Sequence, residues 1–114
     1  QYIRQLNSVA AKHDVKLHYF LVGSALEDPD IDYLKESVDA GHAFGNHTYT
    51  HVNVRATDIP QLQVTYKAAP WRANGRSALI CIRDELRQTN SAMRETLGVT
   101  PIGFRTPGGF INGL

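Results

Sequence analysis

The sequence predicts an α/β protein in which helices alternate with parallel strands. Helical and strand-like segments follow one another in the order helix, strand, helix, strand, helix, strand. Connections of this kind are right-handed crossovers, and they place successive strands parallel in one sheet. The chain has 114 residues, of which 42% are hydrophobic. That is enough for one domain with a buried core and too few for two, so we predict a single domain over residues 1–114.

The first helix and the first strand occupy the N-terminal part of the chain. Residues 1–13 predict a helix because Ile3, Leu6 and Val9 recur at a spacing of three. Residues 15–22 are rich in β-branched and aromatic side chains and are followed by a glycine. This composition predicts a mostly buried strand.

The second helix is predicted from the residues at its two ends. Asp28 is a candidate N-cap, and Pro29 suits the first helical position, where an N–H would lack a partner within the helix. Gly41 fits the left-handed position at which many helices end. Between them, one apolar face is formed by Ile31, Leu34 and Val38. A short strand at residues 42–46 follows.

The second half of the chain predicts a loop, a long helix and a third strand. Residues 47–75 contain two prolines and no sustained period, which predicts a loop-rich segment with at most one short helix. The long helix begins at Ser77 and ends at Gly98. Its predicted buried stripe consists of Leu79, Ile82, Leu86, Thr89, Met93 and Leu97. A solvated face is predicted for its acidic residues, Asp84, Glu85 and Glu95. Residues 101–105 predict the third strand.

Composition and charge exclude several classes of protein. Twelve basic and eleven acidic residues give a net charge of +1, which argues against strong electrostatic attraction to nucleic acid or to an anionic membrane. No apolar run approaches the roughly 20 residues that span a bilayer, so no transmembrane segment is predicted. The one cysteine, Cys81, lies in an apolar run, which predicts a buried thiol rather than a reactive one.

Two histidines directly after the second strand are the most informative polar residues. His47 and His51 are four residues apart, so one turn of backbone would bring both imidazoles to one side. Imidazole binds zinc and the neighbouring first-row metals, which makes a divalent-metal site one interpretation. Two solvent-facing loop histidines are the alternative. Position favours the metal site, because ligands of parallel sheets lie beyond the carboxyl ends of the strands.

Further candidate residues end the third strand at the same edge of the predicted sheet. An arginine at position 105 would suit a bidentate contact with a carboxylate, and a surface ion pair is the alternative for Arg105. Pro107 and the two glycines after it would allow the backbone to turn sharply beside a ligand. Phe110 would then either form the wall of a groove or fill the core.

Four segments in this order resemble one known family. They are Phe20-Leu21-Val22-Gly23, Ala40-Gly41-His42, Gly45-Asn46-His47-Thr48-Tyr49-Thr50-His51 and Gly103-Phe104-Arg105-Thr106-Pro107-Gly108. The set resembles the motifs of the polysaccharide deacetylases, the NodB-homology enzymes of carbohydrate esterase family 4. The similarity covers most of the chain except residues 55–76, which look like an insertion.

The resemblance implies part of a distorted (β/α) barrel that uses a divalent metal, commonly zinc, to hydrolyse acetyl groups on sugars. It implies that His47 and His51 ligate the metal and that Arg105 orients the catalytic aspartate. Pro107 and, more loosely, Phe110 would shape the substrate groove. The family's Asp-Asp motif, which supplies the base and the third ligand, and its general-acid histidine have no counterpart in these 114 residues. We therefore expect the 114-residue piece alone to be inactive.

Three functions remain open from the sequence. The first is a metal-dependent hydrolase that removes acetyl groups from an acetylated carbohydrate, with zinc as the expected cofactor. The second is a carbohydrate-binding barrel of the same fold without catalysis. The third is a flavodoxin-like domain whose histidines are accidental. A polymeric substrate would favour export of the parent protein or its association with the cell envelope.

Overall fold

The computed structural model describes residues 2–52, 54, 58, 60 and 75–107, and within them helices and strands alternate as predicted. The regular elements are, in chain order, α1 (Tyr2–Lys12), β1 (His18–Leu21), a 3₁₀ helix (Gly23–Glu27), α2 (Asp32–Asp39), β2 (Ala43–Asn46), α3 (Ala78–Ala92) and a π-helical turn (Met93–Leu97). The predicted α/β class is confirmed.

The sheet is parallel, and its strands end at one edge. β1 and β2 pair in parallel along their full lengths. Residues 101–105, predicted as a third strand, add a single parallel bridge on the other side of β2, between Asn46 and Phe104. A hydrogen bond from the Arg105 amide to the Asn46 carbonyl (3.0 Å) continues this pairing. The carboxyl ends of β1, β2 and this third segment therefore meet, and the candidate functional residues lie there.

Two apolar clusters hold the described elements together. The larger one joins the sheet to the helices and consists of Leu21, Leu26, Ile31, Leu34, Phe44 and Met93. The smaller one packs the start of α3 against the segment after β2 and consists of Val52, Val54, Ala78 and Cys81. The Cys81 side chain is buried, as predicted. Within the described residues, no helix is both long and apolar enough to cross a membrane.

Three helix ends lie where the sequence predicts them. Gly41 follows α2 and Gly98 follows the π-helical turn, with φ angles of +87° and +69°. A side chain disfavours this left-handed conformation, which is why glycine ends so many helices. Ser77 begins α3, and its hydroxyl accepts a hydrogen bond from the backbone N–H of Ile80 (3.3 Å).

The predicted start of α2 is wrong. The helix begins at Asp32, with Ile31 as its N-cap, several residues later than expected. Asp28 instead accepts a hydrogen bond from the backbone N–H of Asp30 (2.9 Å) and has an extended backbone, with ψ of 128°. A residue before proline avoids helical backbone, so the Asp28–Pro29 pair forms a local turn after the 3₁₀ helix.

The buried stripe of α3 is rotated from the predicted one. Leu79, predicted to be buried, is 75% exposed. The side chains that α3 buries are those of Ala78, Cys81, Glu85 and Thr89. The expectation that Glu85 belongs to a solvated face is therefore wrong, since this side chain is 0% exposed. Glu85 faces the turn after β2, where Thr50 donates two hydrogen bonds to its carboxylate.

Candidate metal centre

The turn after β2, residues 47–51, is fixed by backbone contacts with the start of the 3₁₀ helix. The amide of Gly23 donates to the carbonyl of Thr48 (2.8 Å), and the amide of Ser24 donates to that of Tyr49 (2.9 Å). Gly23 lies so close to the turn that a Cβ atom there would clash with the Tyr49 ring. Glycine is therefore required at this position by the close approach of the two segments.

The conformation of this turn brings its two histidines together. Thr48 and His51 both have left-handed backbone, with φ angles of +63° and +58°. The amide of Val52 donates to the Thr48 hydroxyl (3.0 Å) and closes the turn. The ring centroids of His47 and His51 lie 4.9 Å apart, with the ring planes at 70°. The predicted convergence of the two imidazoles is thus present, although left-handed residues rather than one helical turn produce it.

A hydrogen bond to the third segment fixes which nitrogen of His47 can bind a metal. The Nδ1 atom lies 2.6 Å from the carbonyl oxygen of Arg105. A carbonyl oxygen can only accept, so Nδ1 must bear the proton of the neutral ring. The lone pair is then on Nε2, the arrangement that a metal-ligating histidine needs.

Asn46, the last residue of β2, fixes the point at which the turn begins. Its Oδ1 atom accepts a hydrogen bond from the amide of Thr48 (2.8 Å). Its Nδ2 atom donates to the Leu86 carbonyl and to Oδ1 of Asn90, both at 2.9 Å, which ties the strand end to α3. The buried amide group thus uses its acceptor and both donor hydrogens. No role was predicted for Asn46; its place beside His47 at a strand end is the signal that could have suggested one.

Glu85 holds the other half of the turn. Its Oε1 atom accepts two hydrogen bonds from Thr50, one from the backbone N–H (2.9 Å) and one from the hydroxyl (2.6 Å). Thr50 immediately precedes His51. The sequence does contain a signal for this burial, because Glu85 stands four residues from both Cys81 and Thr89 on the same helix.

Arg105 contributes to the described site through its backbone. Its guanidinium lies over the Phe20 ring, with Cζ 4.6 Å from the centroid, and Phe20 in turn stacks on His18. The described ion pairs join other residues: Arg4 with Glu36, Arg76 with Asp84, and Arg83 with Asp84. The side-chain contact with a carboxylate that was predicted for Arg105 therefore stays a prediction, as does its surface alternative.

Of the two residues expected to shape a groove, the structure describes one, Pro107. Pro107 is buried at the end of the third segment. Phe110 lies outside the described residues, as do the two glycines before it. The groove assignment of Pro107 and Phe110 thus remains a prediction from the family resemblance.

The described residues supply two candidate metal ligands, His47 and His51. No group of three or more histidine, cysteine or acidic side chains converges among them. Two acidic residues at the end of the neighbouring 3₁₀ helix make other contacts: Glu27 accepts a hydrogen bond from the Tyr49 hydroxyl, and Asp28 accepts one from the backbone N–H of Asp30. Two converging imidazoles, one with its Nε2 lone pair available, fit zinc or a similar ion as half of a tetrahedral set.

Comparison with known proteins identifies the family. A sequence model described as "Polysaccharide deacetylase" matches residues 1–114, the whole chain. Among curated proteins, the chain is similar to the uncharacterized protein YlxY of Bacillus subtilis (strain 168). The two are 28% identical over 109 residues, which make up 96% of this chain and 28% of that protein.

Solved structures of two proteins show the same fold. BA3943 of Bacillus anthracis, described as a CE4 family pseudoenzyme, matches with a TM-score of 0.71 and 26% identity over 98% of this chain and 32% of that one. A mutant of it, described as having restored enzymatic activity, has the same TM-score. A family 4 acetyl xylan esterase from Clostridium thermocellum, in complex with a cobalt ion, matches with a TM-score of 0.67 and 20% identity over 99% of this chain and 46% of that one.

The chain spans less than half the length of each of these relatives. The family model, in contrast, matches it from end to end. The parallel order of the strands and the similarity to both solved structures agree with that match. The chain therefore belongs to the polysaccharide deacetylase family, and its fold is part of the distorted (β/α) barrel of that family.

Proposed function

We propose that the protein is a metal-dependent hydrolase that removes acetyl groups from an acetylated carbohydrate, with zinc as its metal. The observation that supports this most directly is the 4.9 Å approach of the His47 and His51 rings. Membership of the polysaccharide deacetylase family supports the reaction class. The cobalt ion of the similar acetyl xylan esterase supports a divalent metal.

In this proposal the residues of the turn hold the metal and the third segment orients them. When bound, the ion would polarise the acetyl carbonyl and lower the pKa of a water molecule beside it. His47 would bind through Nε2, because the Arg105 carbonyl holds its Nδ1 proton. The Arg105 guanidinium would orient a catalytic carboxylate, and Pro107 and Phe110 would line the sugar groove.

A carboxylate base and a further metal ligand are needed to complete this chemistry. The described residues bring no such carboxylate to the two histidines. We propose that both groups come from an aspartate pair outside residues 1–114. The activity is therefore proposed for the whole protein, of which this chain would supply two ligands and the arginine.

A carbohydrate-binding protein without catalysis is the second candidate. The similarity to BA3943, a pseudoenzyme of the same family, favours it. Activity therefore has to be measured rather than assumed. Both candidates have the same fold, and only the first turns over a substrate.

The test compares two histidine variants of the full-length protein. His47→Ala removes a proposed ligand, whereas His13→Ala removes an exposed histidine just after α1 and serves as the matched control. Zinc content is measured by mass spectrometry, and acetate release is measured from acetylated xylan and from N-acetylglucosamine oligomers. We expect wild type and His13→Ala to hold zinc and release acetate, and His47→Ala to do neither. Zinc binding without acetate release would favour the second candidate, and absence of zinc from the wild type would refute the metal centre.

A further inference from the structure

We propose that Glu85 is a positioning residue for the metal centre, which it serves by fixing Thr50 and thereby the backbone that presents His51. This inference rests on the proposed function for its metal. Its structural part, the attachment of the turn to α3 by a buried carboxylate, rests on the contacts of Glu85.

The first argument is the geometry of the contact. One carboxylate oxygen of Glu85 accepts both the backbone N–H (2.9 Å) and the hydroxyl (2.6 Å) of Thr50. Two bonds to one residue fix both its backbone and its side chain. His51 follows directly and has left-handed backbone, with φ of +58°. A non-glycine residue holds such a conformation only where its surroundings determine it.

The second argument is the cost of placing an acid at this position. Glu85 is 0% exposed, on a stripe whose other members include the apolar side chains of Ala78 and Cys81. Burying a carboxyl group carries a large desolvation penalty, and an apolar residue of similar size often stabilises a fold as well or better. Packing alone therefore does not explain an acid here. The two hydrogen bonds from Thr50 need an acceptor, which an apolar residue at this position would not provide.

The third argument is that both halves of the turn are attached to the same helix. Asn46 binds the amide of Thr48 on one side and the Leu86 carbonyl of α3 on the other. Glu85, the residue before Leu86, binds Thr50. α3 thus supports both ends of the turn. The attachment through Glu85 is the one beside His51, because Glu85 binds Thr50, the residue before it.

The test uses three variants of the full-length protein. Glu85→Ala removes the acceptor, and Glu85→Gln retains an oxygen that can accept both bonds. Met93→Ala is the matched control, because it truncates another fully buried side chain, two turns further along the same helical run, in the larger apolar cluster. The measurements are the zinc dissociation constant by competition with a chromogenic chelator, urea unfolding, and hydrogen exchange of the Thr50 amide.

Glu85→Ala should weaken zinc binding more than Met93→Ala does, even if the two variants lose the same amount of stability. We expect Glu85→Ala to raise the zinc dissociation constant about tenfold, within the range seen for groups that orient metal ligands. Glu85→Gln and Met93→Ala should stay within about threefold of wild type. Exchange of the Thr50 amide should accelerate in Glu85→Ala relative to Met93→Ala at equal global stability.

The remaining outcomes overturn the proposal or separate it from the proposed function. Equal changes of zinc affinity in Glu85→Ala and Met93→Ala would show a merely structural role. A tenfold loss in Glu85→Gln as well would refute the hydrogen bond as the cause. If wild type binds no zinc, the proposed function fails together with any role of Glu85 toward a metal. The exchange measurement then decides whether Glu85 holds the turn.

Discussion

The Nδ1 atom of His47 lies 2.6 Å from the carbonyl oxygen of Arg105, so the arginine segment contacts the histidine through its main chain. The Arg105 side chain points to a different neighbour, the Phe20 ring. In the proposed metal centre, the Arg105 main chain would orient His47, and the Arg105 side chain would contact the catalytic carboxylate. A side-chain substitution can separate these two roles.

Arg105→Ala should impair catalysis more than metal binding. The variant keeps the carbonyl that orients His47, so we expect zinc affinity within about threefold of wild type. Loss of the guanidinium should lower kcat/KM for acetate release about a hundredfold, the effect of a catalytic group displaced by roughly 1 Å. Zinc titration and initial rates on the full-length protein check both values. A parallel loss of zinc would contradict this separation of roles.

Asn46→Ala should destabilise the protein more than Asn90→Ala does. The first substitution leaves the Thr48 amide and the Leu86 carbonyl without their side-chain partner, and buried groups of this kind cost about 1–3 kcal/mol each. We therefore expect a loss of about 2 kcal/mol or more in the free energy of unfolding. Asn90→Ala removes one partner of Asn46 and should cost about 1 kcal/mol. Urea unfolding measures both, and equal losses would argue against Asn46 as the central group.

Gly23→Ala should displace the histidine turn. The added methyl group would meet the Tyr49 ring and would lie 2.7 Å from Oγ1 of Thr89, so one of these segments has to move. Overpacking of this kind costs about 1–3 kcal/mol. Ser24→Ala, at the next residue, keeps its backbone bond to Tyr49 and should change stability by about 0.5 kcal/mol or less. Unfolding by urea distinguishes the pair, and similar midpoints would show that the turn tolerates the methyl group.

Acid should weaken the fold in part through His42. Burial lowers the pKa of His42, with a smaller contribution from the charge of Lys16, and the Leu17 amide donates to the Nδ1 atom that a second proton would occupy (3.0 Å). The folded pKa is therefore below the unfolded one, about 6.5. The unfolded chain binds more protons, so this contribution is fully present above pH 6.5 and is lost as pH falls through the folded pKa.

The measurement is the free energy of unfolding between pH 8 and pH 5 for wild type and His42→Gln. The difference between the two proteins isolates His42 from the acidic residues, which also titrate on acidification. We expect wild type to lose more stability than the variant below about pH 6.5. Parallel curves would show that His42 does not contribute to acid sensitivity.

The sequence predicts those parts of the structure that depend on local chemistry. Gly41, Gly98 and Ser77 occupy the helix ends expected of them, because backbone φ and cap hydrogen bonds involve only neighbouring residues. The alternation of helices and strands follows from hydrophobic periodicity. His47 and His51 also come together as their spacing predicts, although left-handed backbone at Thr48 and His51 replaces the expected helical turn.

The rest depends on contacts between distant segments. The charged neighbours of Glu85 suggest a solvated helix face, and the helix sequence does not reveal the contact with Thr50, 35 positions earlier, that accompanies its burial. The rotation of the α3 stripe also depends on a distant segment, because Ala78 and Cys81, rather than Leu79, pack against Val52 and Val54 after β2. The error at Asp28 has a local cause instead. Because a proline follows it, Asp28 is extended and forms a turn with Asp30 rather than capping a helix.

The left-handed backbone of His51 sets the requirement of the proposed metal centre, an imidazole, against the conformational preference of the backbone, a glycine. Glycine would relax this position, which costs an ordinary residue roughly 1–2 kcal/mol, but glycine has no imidazole. Directed evolution for heat tolerance alone should therefore favour glycine at position 51 and remove the proposed ligand. A screen for more stable variants that retain the proposed metal centre therefore has to select for zinc binding at the same time.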